Sequence, residues 1–322
     1  MAAQIAKRLL VAILLVLGVV TIAFVLVHVL PGDAAAHLLS PSLSPEVLAR
    51  LRAAYGLDKP FYVQYGLWLW SFVRGDLGFS FSQQRAVVDV LADAVPYTIL
   101  LACTAIVLEL LLGTLLALMA VRRQNGLVDK VVSLGGMVMY TLPTFWIAIL
   151  LVSVFSYGLG LFPSAQAHSI GADRWGPFPY ALDFVSHLIL PALAIALPGS
   201  AGIARFLRTN LLKAYRQEYV LAAQSLGLSE SRIFRSYAFP NAVLPVVTIL
   251  GLEFGALLSG ALVVETVFAW PGMGRLAVTA ILARDYPLVL GCATISGIGV
   301  VGANLLADIV ASIVDPRLHG EV

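Results

Sequence analysis

Two glutamates sit where the chain can least accommodate them. Glu109 and Glu253 each fall near the middle of a long apolar run. A carboxylate at mid-bilayer depth costs about 2.5–3.5 kcal/mol on insertion scales, so such a group faces protein or water rather than lipid. Two roles follow. Either carboxyl could line a path for a polar solute, or it could be a buried group, protonated or hydrogen-bonded, that holds helices together. Other chemistry is missing from the sequence. There is no G-x-x-x-x-G-K-[ST] phosphate loop, no H-E-x-x-H and no G-x-S-x-G. The histidines at 28, 37, 168, 187 and 319 show no metal-ligand spacing, so no metal site is expected. A protease or metalloenzyme within the membrane therefore lacks its groups. An ion-coupled carrier stays open as a lower alternative, because membrane carboxylates also suit proton coupling.

The elements that must position these glutamates are apolar helices. The chain of 322 residues is 60% hydrophobic and 12% charged. Soluble domains run at about 45–50% apolar and about 25% charged, so the excess points to a bilayer as solvent. The net charge is +2, with no basic run of the nucleic-acid type, so no nucleic-acid partner is expected. Cys103 and Cys292 lie in apolar stretches and read as small buried hydrophobes. Residues 9–30 carry no Asp, Glu, Lys or Arg, and at 1.5 Å per residue they span about 33 Å, enough to cross. A signal peptide would have a shorter apolar core, and more spans follow. Residues 98–121, 131–157, 184–204, 239–264 and 288–314 bring the expected number of spans to six. Six spans put both termini on one side. With that side cytoplasmic, the inner segments hold 12 of the 20 Lys and Arg in 59 residues, against 8 in 114 outside.

Small residues recur at i, i+4 on three spans. Ala105, Glu109, Gly113 and Ala117 share one face; Gly251, Gly255 and Ser259 share another; Gly299, Ala303, Ala307 and Ala311 a third. Such stripes predict close helix contacts within the bundle or with a second membrane subunit. Asn304 and Asp308 lie on the last span. Pro143, Pro191 and Pro198 invite kinks in the third and fourth spans.

Residues 31–95 form an expected external insertion, too long for a plain connector. Ser44-Pro45-Glu46 has the pattern of a helix start and Gly56 of a stop. Phe61–Val73 reads as a helix rich in aromatics of the interfacial kind. Arg74-Gly75-Asp76-Leu77-Gly78 breaks it, and residues 87–94 read as one more short helix. The insertion is expected to cap the mouth of the bundle. A docking site for an external partner on it is the sharper alternative.

A polar module at 205–238 interrupts the lipid-soluble chain on the cytoplasmic side. Residues 211–226 have apolar groups at steps of three and four and end at Gly227. Ser229 is placed to cap a second short helix, with Arg232 and Arg235 exposed and Ile233, Phe234 and Tyr237 apolar. Two short helices meeting at a glycine make a compact knob. The plainer reading is an amphipathic loop on the lipid headgroups.

Ala222-Ala223, then Gly227, then Pro240 resembles the EAA loop of ABC importer permeases, in which this loop is the coupling helix that inserts into a groove of the cytoplasmic ATPase. Leu221 stands where that family has Glu, and the nearest acid is Glu218. Leu30-Pro31-Gly32-Asp33, Tyr55-Gly56-Leu57-Asp58-Lys59-Pro60 and Arg74-Gly75-Asp76-Leu77-Gly78-Phe79-Ser80 resemble the external region of the first permease of peptide and nickel importers. Leu142-Pro143-Thr144-Phe145, His187 to Pro191, Glu265 to Gly274 and Asp315-Pro316-Arg317 continue the likeness in order.

The resemblance implies an all-α polytopic protein of the cytoplasmic membrane, one domain over 1–322. Six transmembrane helices, an external helical insertion after the first and a coupling loop between the fourth and fifth would make it up. Its partners would be a second homologous permease, two cytoplasmic ATPases that bind ATP and Mg, an external substrate-binding protein and membrane lipid. The chain itself would be no enzyme and would bind no cofactor. Peptides are the implied cargo, with nickel or glutathione as alternatives. The implied ATPase contacts are Glu218, Tyr219, Ala222, Ala223, Gly227, Leu228 and Arg232. Asp58, Arg74 and Asp76 are candidates for docking the binding protein, and Glu109 and Glu253 for the path.

Overall fold

Apolar runs longer than a bilayer is thick become the long helices of this chain. The computed structural model describes residues 2–29, 59–258 and 261–314. Within them, five helices are long and apolar enough to cross a membrane, or six when a bent pair counts as one span. The helix expected from Ser44, together with Asp58 and residues 315–322, lies outside the described residues.

The first helix, α1 (Ala2–Val29), carries a buried aromatic, Phe24, near its end. The second, α2 (Phe61–Val73), presents Phe61, Tyr65 and Trp68 to it, with ring centroids 5.3–5.4 Å from that of Phe24. The hydroxyls of Thr21 and Tyr65 meet at 2.7 Å. The aromatic stretch therefore packs on the first span as well as facing outward. A two-stranded hairpin follows, β1 (Phe79–Ser80) against β2 (Arg85–Ala86), which the sequence did not signal. Asp285, far along the chain, anchors it by accepting from Ser80 Oγ at 2.6 Å, Ser82 N at 2.9 Å and Ser82 Oγ at 2.7 Å.

The 36-residue helix α3 (Val87–Arg122) corrects the expectation of a separate helix at 87–94. Pro96 lies inside it without ending it. Val87, Val90, Leu91 and Ala94 continue the buried stripe onto Met273, Ala280 and Leu288, and that packing carries the helix through the proline.

The third expected span is likewise not one helix. It is α4 (Leu127–Thr141) and α5 (Thr144–Leu151), the latter extended by a π-helical turn to Gly158, with a bend of 104° between them. Leu142 precedes Pro143 and takes φ −71°, ψ 137°, the extended conformation that a following proline enforces. Pro191 and Pro198, by contrast, lie within a single 38-residue helix, α6 (Pro177–Ala214).

The expected helix over 211–226 is also divided. The long helix stops at Ala214, and α7 (Glu218–Ser225) starts anew because Val220 and Ala223 turn to pack on Ile233. Next come α8 (Glu230–Ile233) and a π-helical turn, Phe234–Ala238. The chain then returns as α9 (Phe239–Leu258), α10 (Leu262–Val267), α11 (Met273–Leu282) and α12 (Tyr286–Val314).

The centre of the bundle is α3 running alongside α6, and the small-residue stripes explain how closely the helices approach. A Cβ on Gly113 would meet Ile203 at 2.7 Å and the Ser200 carbonyl at 2.9 Å. On the neighbouring pair, Gly251 backs onto Ala307, and Gly255 onto Asn304 and Ala303. Cys103 turned out exposed on α3, whereas Cys292 is buried as expected.

Candidate functional site

At the end of the bundle where α3 and α6 finish, the chain projects as a knob. Val220, Ala223 and Ile233 form its core, with Tyr215, Leu228 and Tyr237 packed against them. The turn between its helices depends on Gly227, at φ +72°. Gly227 N donates to Gln224 O at 2.9 Å and Leu228 N to Ala223 O at 3.3 Å, the paired bonds of a Schellman cap. Gly227 is thus fixed by backbone conformation, as its place in the sequence suggested.

The remaining coupling candidates divide by burial. Ala223 is inside the knob, while Glu218, Tyr219, Ala222 and Arg232 are exposed. Leu221 and Leu226 add an apolar surface, 51% and 79% exposed. Glu218 occupies the first turn of α7, where an acid complements the helix dipole. Ser229 stands at the N-cap of α8 but makes no side-chain cap bond; its carbonyl receives Arg232 N at 2.9 Å and Ile233 N at 3.0 Å.

The two mid-span glutamates come together. Glu109 on α3 and Glu253 on α9 are close neighbours across the bundle. Glu109 is fully buried, and neither of its oxygens has a donor among the described residues. Its carboxyl lies against Gly199 of α6, in the space a side chain there would need. Beside the pair, α4, α6 and α9 enclose a cavity of about 910 Å³ lined by Gly199, Tyr140, Arg205, Arg208, Lys213 and Glu253. Arg208 is committed elsewhere, its guanidinium gripping Asp129 at 2.6 and 2.7 Å. Asp129 also accepts from Asn125 N at 2.9 Å, so the pair ties the α3–α4 turn to α6.

Arg74 and Asp76 are exposed but already engaged locally. The Arg74 guanidinium lies 4.4 Å over the Trp70 ring, and Asp76 Oδ1 receives Gly78 N at 2.9 Å. They shape the junction of α2 and the hairpin.

A third glutamate, Glu265, carries a cluster that spacing alone does not reveal. Its carboxyl accepts from Thr98 Oγ1 at 2.8 Å, Gly274 N at 2.7 Å and Arg275 N at 3.1 Å. Thr98 in turn receives Met273 N at 2.8 Å. The start of α11 is thereby capped from α3 and α10. A side chain on Gly272 would strike the Glu265 carboxyl, and one on Gly274 would meet the Leu262 backbone at 2.7 Å. These contacts account for the glycines of Pro271-Gly272-Met273-Gly274. Asp183 organises a similar cluster on α6, receiving Ser169 N at 2.9 Å and Ser169 Oγ at 2.6 Å, with His168 Nδ1 at 3.2 Å.

Residues 109–320 match the family described as "Binding-protein-dependent transport system inner membrane component", and residues 1–102 match the N-terminal region of such membrane components. The chain belongs to this family. It is a multi-pass permease of an inner-membrane transport system of the ABC importer class, whose members work with ATPase and substrate-binding components. It is 34% identical to the oligopeptide transport system permease protein AppB of Bacillus subtilis (strain 168), over 99% of this chain and all of that protein. It is 31% identical to the dipeptide transport system permease protein DppB of Escherichia coli (strain K12), over 94% of each. Among solved structures, the permease resembles a chain of an amino acid ABC transporter crystallised with histidines. The TM-score is 0.54 at 19% identity, over 70% of this chain and 94% of that one, a likeness of fold.

Proposed function

We propose that this permease is one of two homologous membrane subunits of an importer that carries short peptides across the cytoplasmic membrane. Two separate cytoplasmic ATPases bind ATP and Mg and drive it, and an external protein delivers the peptide. The chain has no ATPase chemistry of its own and binds no cofactor. Both termini and the knob face the cytoplasm, in keeping with the excess of Lys and Arg on that side. The observation that carries the reading is the knob itself. Its own core makes it move as a unit, and its exposed face of Glu218, Tyr219, Leu221, Ala222, Leu226 and Arg232 has the mixed apolar and charged character of a docking surface. The names of the full-length relatives AppB and DppB support peptide as the cargo.

The test is co-purification of the ATPases with the detergent-solubilised permease. Deleting residues 218–229 should abolish that association while membrane insertion persists. ATPases retained by the deletion variant would refute the coupling role. Peptide uptake driven by a proton gradient without ATP would refute the ATP-driven class.

A further inference from the structure

Residues 160–171 run as a strap over the end of the bundle remote from the knob, ahead of the first turns of α6. At its two ends Gly160 and Gly171 take φ +62° and +82°, and a Cβ on either would meet nothing within 4 Å. Between them Ala167 is buried with Phe268 and Trp270, and Phe162 packs on the same cluster. Gln166 N donates to Phe268 O at 2.7 Å. Both sides of that bond hold left-handed backbone without a glycine: Gln166 at φ +71°, and Ala269, next to Phe268, at φ +47°. Such conformations persist only where the surroundings hold them.

The strap is held by Asp183 of α6. Its carboxyl receives Ser169 N at 2.9 Å and Ser169 Oγ at 2.6 Å, and His168 Nδ1 lies 3.2 Å away. The His168 ring is stacked on Tyr180, centroid to centroid 4.0 Å. An ionised carboxylate only accepts, so Nδ1 carries the proton of this bond. Neutral His168 spends its one N–H there, and protonated His168 faces Asp183 as a full cation. His187 faces Asp183 too: its Nδ1 donates to the Asp183 carbonyl at 2.8 Å and lies 3.5 Å from Oδ1. The His187 side chain is 3% exposed and that of His168 20%, so His168 is the ring that water reaches. The other charged groups nearby are committed or unpaired. Glu265 of α10 serves Thr98 and the start of α11, and Asp173 and Arg174 of the following turn form no ion pair among the described residues.

We propose that the strap is a proton-sensitive latch on the outward end of the permease, with His168 as the sensor and Asp183 as its catch. The inference goes beyond the importer reading and needs only that this end of α6 faces outside. Histidine changes charge between about pH 5 and 8. On the acid side of that range the attraction of opposite charges is added to the His168–Asp183 hydrogen bond. External acid therefore tightens the strap over Phe268 and Trp270. On the alkaline side only the bond of the neutral ring remains, and the strap loosens.

The experiment is hydrogen exchange in the solubilised complex of both permeases and both ATPases, corrected for the intrinsic pH dependence of exchange. Peptides covering 164–171 contain the Gln166 and Ser169 amides, which make the bonds described above. Their protection should be at least about threefold higher at about pH 5.5 than at about pH 8, whereas the Leu228 amide of the knob should not respond. His168→Gln, which keeps a donor but does not titrate, should abolish the pH response. His187→Gln should preserve it. Asp183→Asn should lower protection at both pH values and remove the response; if that variant fails to assemble, His168→Gln decides alone. No pH response in the unaltered complex, or the same response in His168→Gln, would overturn the latch. These readouts use neither cargo nor ATP, so their failure leaves the importer reading standing. Absence of ATP-driven uptake by the complete importer would remove that reading and leave the latch.

Discussion

The carboxyl of Glu109 occupies the space beside the α-carbon of Gly199, so the two positions cannot both carry side chains in this arrangement. Gly199→Ala should therefore displace Glu109 or part α3 from α6. Overpacking of this kind costs about 1–3 kcal/mol. Thermal unfolding in detergent should show a lowered midpoint and peptide uptake should fall. Gly302→Ala, with nothing within 4 Å of its added methyl, serves as the control and should be neutral or mildly stabilising.

Removal of the Glu265 side chain should loosen the start of α11. The Gly274 and Arg275 amides and the Thr98 hydroxyl would all lose their acceptor. Hydrogen bonds to a charged group contribute about 1.5–3 kcal/mol, so Glu265→Ala should cost more than Thr98→Val, which removes one donor to Glu265 and the acceptor of Met273 N but spares the Gly274 and Arg275 bonds. Hydrogen exchange at the amides of residues 273–276 is the direct measure.

Much of this arrangement was visible in the sequence. The boundaries of α2, the small-residue faces and the cap at Gly227 follow from local patterns. Short-range signals read well because the physics that sets them is short-range: a φ of +72° requires glycine wherever it occurs. The proline signal was ambiguous for a physical reason. Pro143 ends a helix, but Pro96, Pro191, Pro198 and Pro245 are accommodated inside one, and packing decides which happens. The link from Thr98 to Glu265 crosses 167 positions, and that from Ser80 to Asp285 crosses 205. Neither has a periodic pattern, so only the folded chain shows them. The meeting of Glu109 and Glu253 is of this sort too: each stood out alone, but nothing in their spacing paired them.

Gly227→Ala should strain the knob at one point. A left-handed conformation costs a residue with a Cβ about 1–2 kcal/mol. That is enough to shift the small core of Val220, Ala223 and Ile233 without disturbing the spans. ATPase co-purification should weaken while the bulk unfolding midpoint stays put. Gly227→Asn should be milder, since Asn tolerates this conformation better.

Arg208→Ala should be more damaging than a substitution of an ordinary exposed arginine. It leaves Asp129, 6% exposed, as a charge without its cation. Leaving an acceptor without its hydrogen-bond donors costs about 1–3 kcal/mol. Adding Asp129→Asn in the same chain should recover part of the loss, and a double-mutant cycle on unfolding midpoints reads the coupling.

Glu253 and the knob lie on one mechanical line. The π-helical turn Phe234–Ala238 closes the knob and passes straight into α9, and Glu253 stands fourteen residues beyond Phe239. At 1.5 Å per residue this is a lever arm of about 21 Å, so a tilt of about 10° at its base sweeps the carboxyl through about 4 Å. A contact at Glu253 that is in register at one tilt is out of reach at the other. The same swing carries Glu253 away from Glu109, which stays on α3, so the carboxyl pair would part and rejoin by leverage from a distant fulcrum.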